Sequence, residues 1–194
     1  MTRVLALVAI VPAAATPYFA VFWTWFELWR RHRIATYAMM LGTISATTAA
    51  VVIERDVVLA IQLPLMPVAR AFGWMGMALA CALGVVADRQ LGLHVRSFAP
   101  FFDPDEKIVL RTTGAYGIVR HPIYAAGIWF QVGAFLATGY VAVAIACAVL
   151  TLGALWFTRE EERRLIERLE DPDAYARYRE RVPALFPLWR FEWP

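Results

Sequence analysis

GAYGIVRHPIYAAGIWFQVGAFLATGYVAVAIACAVLTLGALWFT, residues 114–158, opens as a polar turn and becomes apolar at Pro122. The apolar run is interrupted at Thr138, Gly139 and Tyr140. A helix that crosses about 30 Å of hydrocarbon needs roughly 20 apolar residues. The stretch therefore predicts a tight helical hairpin across a bilayer, with spans at 122–137 and 141–158.

The composition of the whole chain agrees. Of 194 residues 60% are hydrophobic and the mean hydropathy is +0.53, too apolar for a soluble domain of ordinary composition. Residues 4–29 supply a first span, with Pro12 and Pro17 as kink points. Arg30, Arg31 and Arg33 stop it, which favours a retained helix over a signal cleaved near Ala13 to Ala15. A second span runs over 34–53 and ends at Glu54, Arg55 and Asp56. Pro64, Pro67 and Arg70 make 57–69 an interfacial or re-entrant connector, and a further span follows over 71–91, ending near Asp88 and Arg89. The expected fold is thus an all-α integral membrane protein of about five transmembrane helices, forming a single domain over 1–194. Its tail, 159–194, holds a charged helix, an Asp-Pro turn, a short helix near Ala174 to Arg181 and an aromatic end.

The net charge is only +3, but 16 of the 19 Lys and Arg residues lie at 30–33, in the 89–120 loop and after 158. By the positive-inside rule these segments face the cytosol and the N-terminus lies outside. Cys81 and Cys147 each sit in an apolar run, so the sequence supports neither a disulfide framework nor a cysteine zinc site.

Chemistry concentrates where the loop enters the hairpin. Pro122 suits the first turn of a helix, which places His121 at the cap and Arg120 just outside. A helix start offers free N–H groups and a positive dipole end, and with Arg120 and His121 it makes an anion site. Gly114 and Gly117 allow close backbone approach, while Tyr116 and Tyr124 can pack on a ring or donate a hydroxyl. The plainer alternative is a basic cluster that anchors a helix end at lipid headgroups. A second constellation, Arg159, Glu160, Glu161, Glu162, Arg163 and Arg164, follows Trp156 and Phe157. If the last span continues as a helix, Glu161 and Glu162 lie one turn before Leu165 and Ile166, so one of them can face the protein. The alternative there is a solvated helix with Glu160 and Arg164 paired.

Taken together, LRTTGAYGIVRHPIY at 110–124, the pair Glu161 and Glu162 with Leu165, and Tyr175, Tyr178, Val182, Pro183 and Pro187 in the tail resemble the isoprenylcysteine carboxyl methyltransferase and phospholipid methyltransferase group of integral-membrane enzymes. The similarity covers roughly residues 70–187. It implies an S-adenosylmethionine pocket on the cytosolic side, closed by the tail and needing no metal. Val109, Leu110, Arg111, Tyr116, Arg120, His121, Pro122, Ile123 and Tyr124 would line the cofactor, and Glu161 would meet its amino group. Glu162 and Arg159 are the catalytic candidates, with Glu162 or His121 taking the proton if the acceptor is an amine. The implied partners are a lipophilic or small-molecule methyl acceptor and membrane lipid, with no nucleic acid. One departure stands out: where the carboxyl methyltransferases would carry an arginine one turn before the glutamate, this chain has Phe157. The acceptor can accordingly be a carboxylate, a lipid amine or a thiol. Tyr175, Tyr178, Phe186 and Trp189 either exclude water from the site or anchor the interface. Two other functions compete. An NADPH-dependent sterol-type reductase has a related R-H-P-x-Y stretch. A non-enzymatic scaffold or transport component would use the basic face to meet anionic lipid.

Overall fold

The hairpin expected from residues 122–158 is present, and its geometry explains how the other helices are held. The structure, a computed structural model, describes residues 1–96, 102–103, 109–169 and 171–187. The loop residues Pro100, Pro104, Asp105 and Glu106, and the aromatic Trp189, lie outside the described residues. The helices are α1 Thr2–Thr24, α2 Phe26–Arg31, α3 Arg33–Ile53, α4 Arg55–Val58, α5 Pro67–Arg96, α6 Ala115–Ile118, α7 Pro122–Thr138, α8 Val141–Ile166 and α9 Pro172–Arg181.

Thr2–Thr24, Arg33–Ile53, Pro67–Gly92 and Val141–Ile166 are each long and apolar enough to cross a membrane, and Pro122–Thr138 is a shorter apolar helix. At 17 residues, α7 spans about 25 Å. Leu41, Leu79 and Leu152 are 66–69% exposed on these helices, a surface that suits lipid and not water. The protein is an all-α integral membrane protein. The apolar part of α8 is its first 18 residues, 141–158; the six consecutive charged residues from Arg159 lie beyond the hydrocarbon, because ionised side chains are costly there.

Several boundaries differ from expectation. The first span does not reach residue 29: α1 ends at Thr24, Trp25 leaves helical geometry, and α2 begins at Phe26. Helix α1 runs without interruption through Pro12 and Pro17. The third long span starts at Pro67 and not at 71, because a proline at the first helical position costs no hydrogen bond. Gly92, with φ 79°, breaks helical geometry at the other end.

The described residues fall into two compact units, 1–79 with 128–153 and 80–127 with 154–194. In the first, Ala6, Ala9, Ile10 and Ala13 of α1 form a core with Met77, Ala134, Ala137, Tyr140 and Val143. Helices α5 and α7 approach through glycines. A Cβ on Gly133 would stand 2.7 Å from the Gly73 carbonyl oxygen, and one on Gly73 would stand 2.5 Å from Ala137 N. Without a strong hydrophobic force between helices in lipid, close packing of this kind supplies the attraction. Gln131 adds a buried hydrogen bond from Nε2 to the Ala9 carbonyl, at 2.5 Å. The connector after α4 pairs with the hairpin turn. Leu63 N donates to Gly139 O at 2.8 Å and Val141 N to Ile61 O at 3.1 Å, while Gln62 Nε2 donates to Thr138 O at 2.7 Å. Carbonyls and amides of this buried turn are thereby satisfied.

In the second unit, Asp171 caps α9 by accepting from Ala174 N at 3.1 Å, and Pro172 opens the helix. Tyr175, Tyr178 and Val182 then fall on one face and are buried with Leu110, Leu165, Ile166 and Leu169. The tail is docked through this apolar face. Asp173, Arg177, Glu180 and Arg181 of α9 remain exposed.

Candidate functional site

Helix α7 begins where two segments far apart in sequence lie side by side. Arg120 N donates to Pro183 O at 2.8 Å and His121 N to Ala184 O at 3.0 Å. The cap amide of His121 and the amide of Arg120 just outside it, which the helix cannot satisfy itself, are thus taken by the tail. Ala125 N closes the first helical turn onto His121 O at 3.0 Å. Pro122 has no N–H, so Ile123 and Tyr124 carry the first-turn amides with no carbonyl of their own helix to bond.

The loop before α7 is tied down on two sides. Gly114, at φ 63°, lies against the Gln90 side chain so closely that a Cβ there would overlap the amide. Gln90 Oε1 accepts from Ala115 N at 3.0 Å. From the tail, Tyr178 Oη donates to Tyr116 O at 2.5 Å.

Arg120 turns inward. Its side chain is 2% exposed and Nε meets Glu162 Oε1 at 2.9 Å, with Nη2 at 3.4 Å from Oε2. Nη1 donates to Val182 O at 2.6 Å and to Arg179 O at 3.3 Å, carbonyls at or near the end of α9. His121 lies between the two acids, with Nε2 2.8 Å from Glu162 Oε1 and Nδ1 3.6 Å from Glu161 Oε2. Each ring nitrogen faces a carboxylate, an arrangement that only the imidazolium matches with a proton on both sides. Burial would lower the His121 pKa, but the two carboxylates outweigh it and raise it. Burial would likewise raise Glu162, yet hydrogen bonds and charge from His121 and Arg120 hold it down to about 2. Tyr124 Oη donates to Glu161 Oε1 at 2.5 Å. The neighbouring acids therefore differ in kind: the Glu162 side chain is 7% exposed and the Glu161 side chain 36%.

Arg120, His121, Tyr124, Glu161 and Glu162 meet in one network. Pro122 is buried at its edge, and Ile123 is exposed at 41%. Tyr116 is half-buried, and burial pushes its phenol up to about 12, with Glu161 and Asp88 adding to the rise against Arg111. Leu110 packs against the tail. Val109 is exposed at 81%, Arg111 is exposed with Nη2 3.3 Å from Leu91 O, and Arg159 is exposed. Phe157 is buried. Gln90 and the carbonyls of Pro183 and Ala184 were not among the expected site residues. A lone amide side chain at the charged end of an apolar helix was the one sign of Gln90, and backbone acceptors carry no sign in sequence. A partly exposed carboxylate held at the start of a helix suits a zwitterion, an ammonium toward Glu161 and a carboxylate toward first-turn amides that the helix itself cannot satisfy.

Residues 68–170 match the family model described as phospholipid methyltransferase. The chain belongs to that family. No curated protein and no solved structure matches it. As a member of the phospholipid methyltransferase family it is a membrane methyltransferase. The family match takes in α5, the 114–124 loop, the hairpin and both acids. The α9 tail residues that receive Arg120 and His121 lie beyond it.

Proposed function

We propose that the protein transfers a methyl group from S-adenosylmethionine to a lipophilic or small acceptor, at the membrane face that carries the 114–121 loop and the tail. The observation that carries this reading is Glu161: its side chain is 36% exposed, is held by Tyr124 of the first turn of α7, and lies 3.6 Å from His121 at the start of that helix. Bound there, S-adenosylmethionine supplies a methyl group on a sulfonium that is already activated. The chain then has to align donor and acceptor and exclude water, and alignment alone can lower a barrier by roughly 7–11 kcal/mol. Glu161 takes the ammonium, the Ile123 and Tyr124 amides take the carboxylate, and Tyr116 lies at the loop side of the same site. The clustering of Arg residues in the loop and tail supports a cytosolic location for it.

Glu162 is poorly suited to removing a proton. Arg120 and His121 occupy its oxygens, and a carboxylate held near 2 is a weak base at neutral pH. The site therefore favours acceptors that are nucleophilic on arrival, a carboxylate, a thiolate or an uncharged lipid amine. A membrane lipid as acceptor is consistent with the family match.

The test is radiolabelled methyl transfer by the purified protein, offering prenylcysteine, phosphatidylethanolamine and small thiols side by side, with titration of S-adenosylmethionine and NADPH. Label in one acceptor and saturable S-adenosylmethionine binding are expected. Binding of NADPH with no affinity for S-adenosylmethionine would overturn the proposal.

A further inference from the structure

Arg120 carries a full charge at a place where little of it reaches solvent. Four contacts account for its guanidinium: two to Glu162 and two to the carbonyls of Arg179 and Val182. A group spent in this way has little left with which to hold a cofactor carboxylate. What it touches is instead the end of α9 and an acid on α8. Its backbone amide, and that of His121, hold the next two tail residues, Pro183 and Ala184.

We infer that Arg120 is a positioning residue: its guanidinium latches the tail, residues 179–184, to Glu162 and to the start of α7, and so keeps His121 between Glu161 and Glu162. This rests on the proposed methyltransferase site, which it deepens by assigning the residue that keeps the site assembled. The forked guanidinium suits the role. It bonds both oxygens of a carboxylate and still points two further donors at carbonyls, which an ammonium cannot do in one plane. The Tyr178 hydroxyl on the Tyr116 carbonyl is a second, independent tie between tail and loop, so loss of the latch loosens the tail without releasing it outright. Glu161 is not bonded to Arg120, and its link to Tyr124 survives.

The experiment compares full-length wild type with Arg120→Gln, Arg120→Lys and the double variant Arg120→Gln/Glu162→Gln in detergent. Two quantities are read: the rate of trypsin cleavage after Arg177, Arg179 and Arg181, and the kinetic constants for S-adenosylmethionine. Arg120→Gln is expected to speed tail cleavage roughly tenfold or more, the size of a lost charge-assisted hydrogen bond read through the open population. Its KM for S-adenosylmethionine should rise more than its kcat falls. Arg120→Lys should recover part of the protection. If Arg120→Gln fails to fold, the double variant, which leaves no unpaired buried charge, keeps the comparison possible. It too should show a loosened tail. Wild-type cleavage rates in both the single and double variants would overturn the inference, as would a collapse of kcat with the tail still protected. A wild-type protein without S-adenosylmethionine binding would sink the proposed function, while the cleavage comparison would still decide the latch.

Discussion

Tyr124 and Glu161 are 37 residues apart in sequence and share a 2.5 Å hydrogen bond, which ties the first turn of α7 to the charged end of α8. Glu161 keeps one carboxylate oxygen outside that bond, and its side chain retains a third of its exposure. In an accessible site, removing the charge while keeping the shape costs about 1 kcal/mol, roughly fivefold in affinity. Glu161→Gln is therefore expected to weaken S-adenosylmethionine binding about fivefold or more, with the folded fraction unchanged, and Tyr124→Phe to weaken it less. Isothermal titration in detergent measures both, and wild-type curves for Glu161→Gln would remove the acid from the site.

Glu162 has a different role. Glu162→Ala leaves the Arg120 guanidinium buried without its carboxylate, and breaking a buried pair from one side costs about 3–5 kcal/mol. A lowered thermal unfolding temperature is expected, with a smaller loss in Arg120→Gln/Glu162→Gln. Equal losses in the single and double variants would show that the pair is not the source.

The pH dependence has a definite sign. The folded pKa of His121 is raised above 6.5, so its contribution is complete below 6.5 and is lost as pH rises through the folded value. Glu162, held down near 2, contributes above its ordinary 4.5 and loses that only in strong acid. Around the imidazole stand Glu161 and Glu162 of α8, Arg120 beside it and Tyr124 of α7. Tail protection from trypsin is accordingly expected to weaken on the alkaline side of 6.5 in wild type, and to lose that dependence in His121→Gln. A wild-type profile flat from pH 6 to 9 would contradict it.

The crossing of α5 and α7 offers a test away from the site. Gly133→Val would push a side chain into the Gly73 backbone and Met77, and overpacking of this kind costs about 1–3 kcal/mol or more. At Gly76 a Cβ would be 4.0 Å from Gly133 Cα, so Gly76→Ala should be tolerated. Thermal unfolding in one detergent compares the two, and equal stability would mean that the helices do not meet through glycine.

The hairpin, the long spans and the helix that carries the acids past Thr158 were legible in the chain, since Pro122, the apolar runs and the charge clusters are local signals. The break at Trp25 was not, because no proline, glycine or charge marks it. At the site, His121 and Glu161 stood out by residue type, and Pro122 supplied the reason for a helix start. Arg120 read as an anion-binding group because a basic residue outside a helix start is usually solvated. Gln90 went unnoticed, as its partner is a backbone amide.

Sequence alone decided how many apolar helices form and where the charged residues cluster. The cost of putting a polar group in hydrocarbon is high, and it accrues residue by residue along the chain. Only the tertiary structure decided which of two adjacent acids is buried and that Arg120 faces inward. Whether a charge can leave water depends on every group around it, and here three of those groups, the carbonyls of Arg179, Val182 and Pro183, come from a tail about sixty residues away.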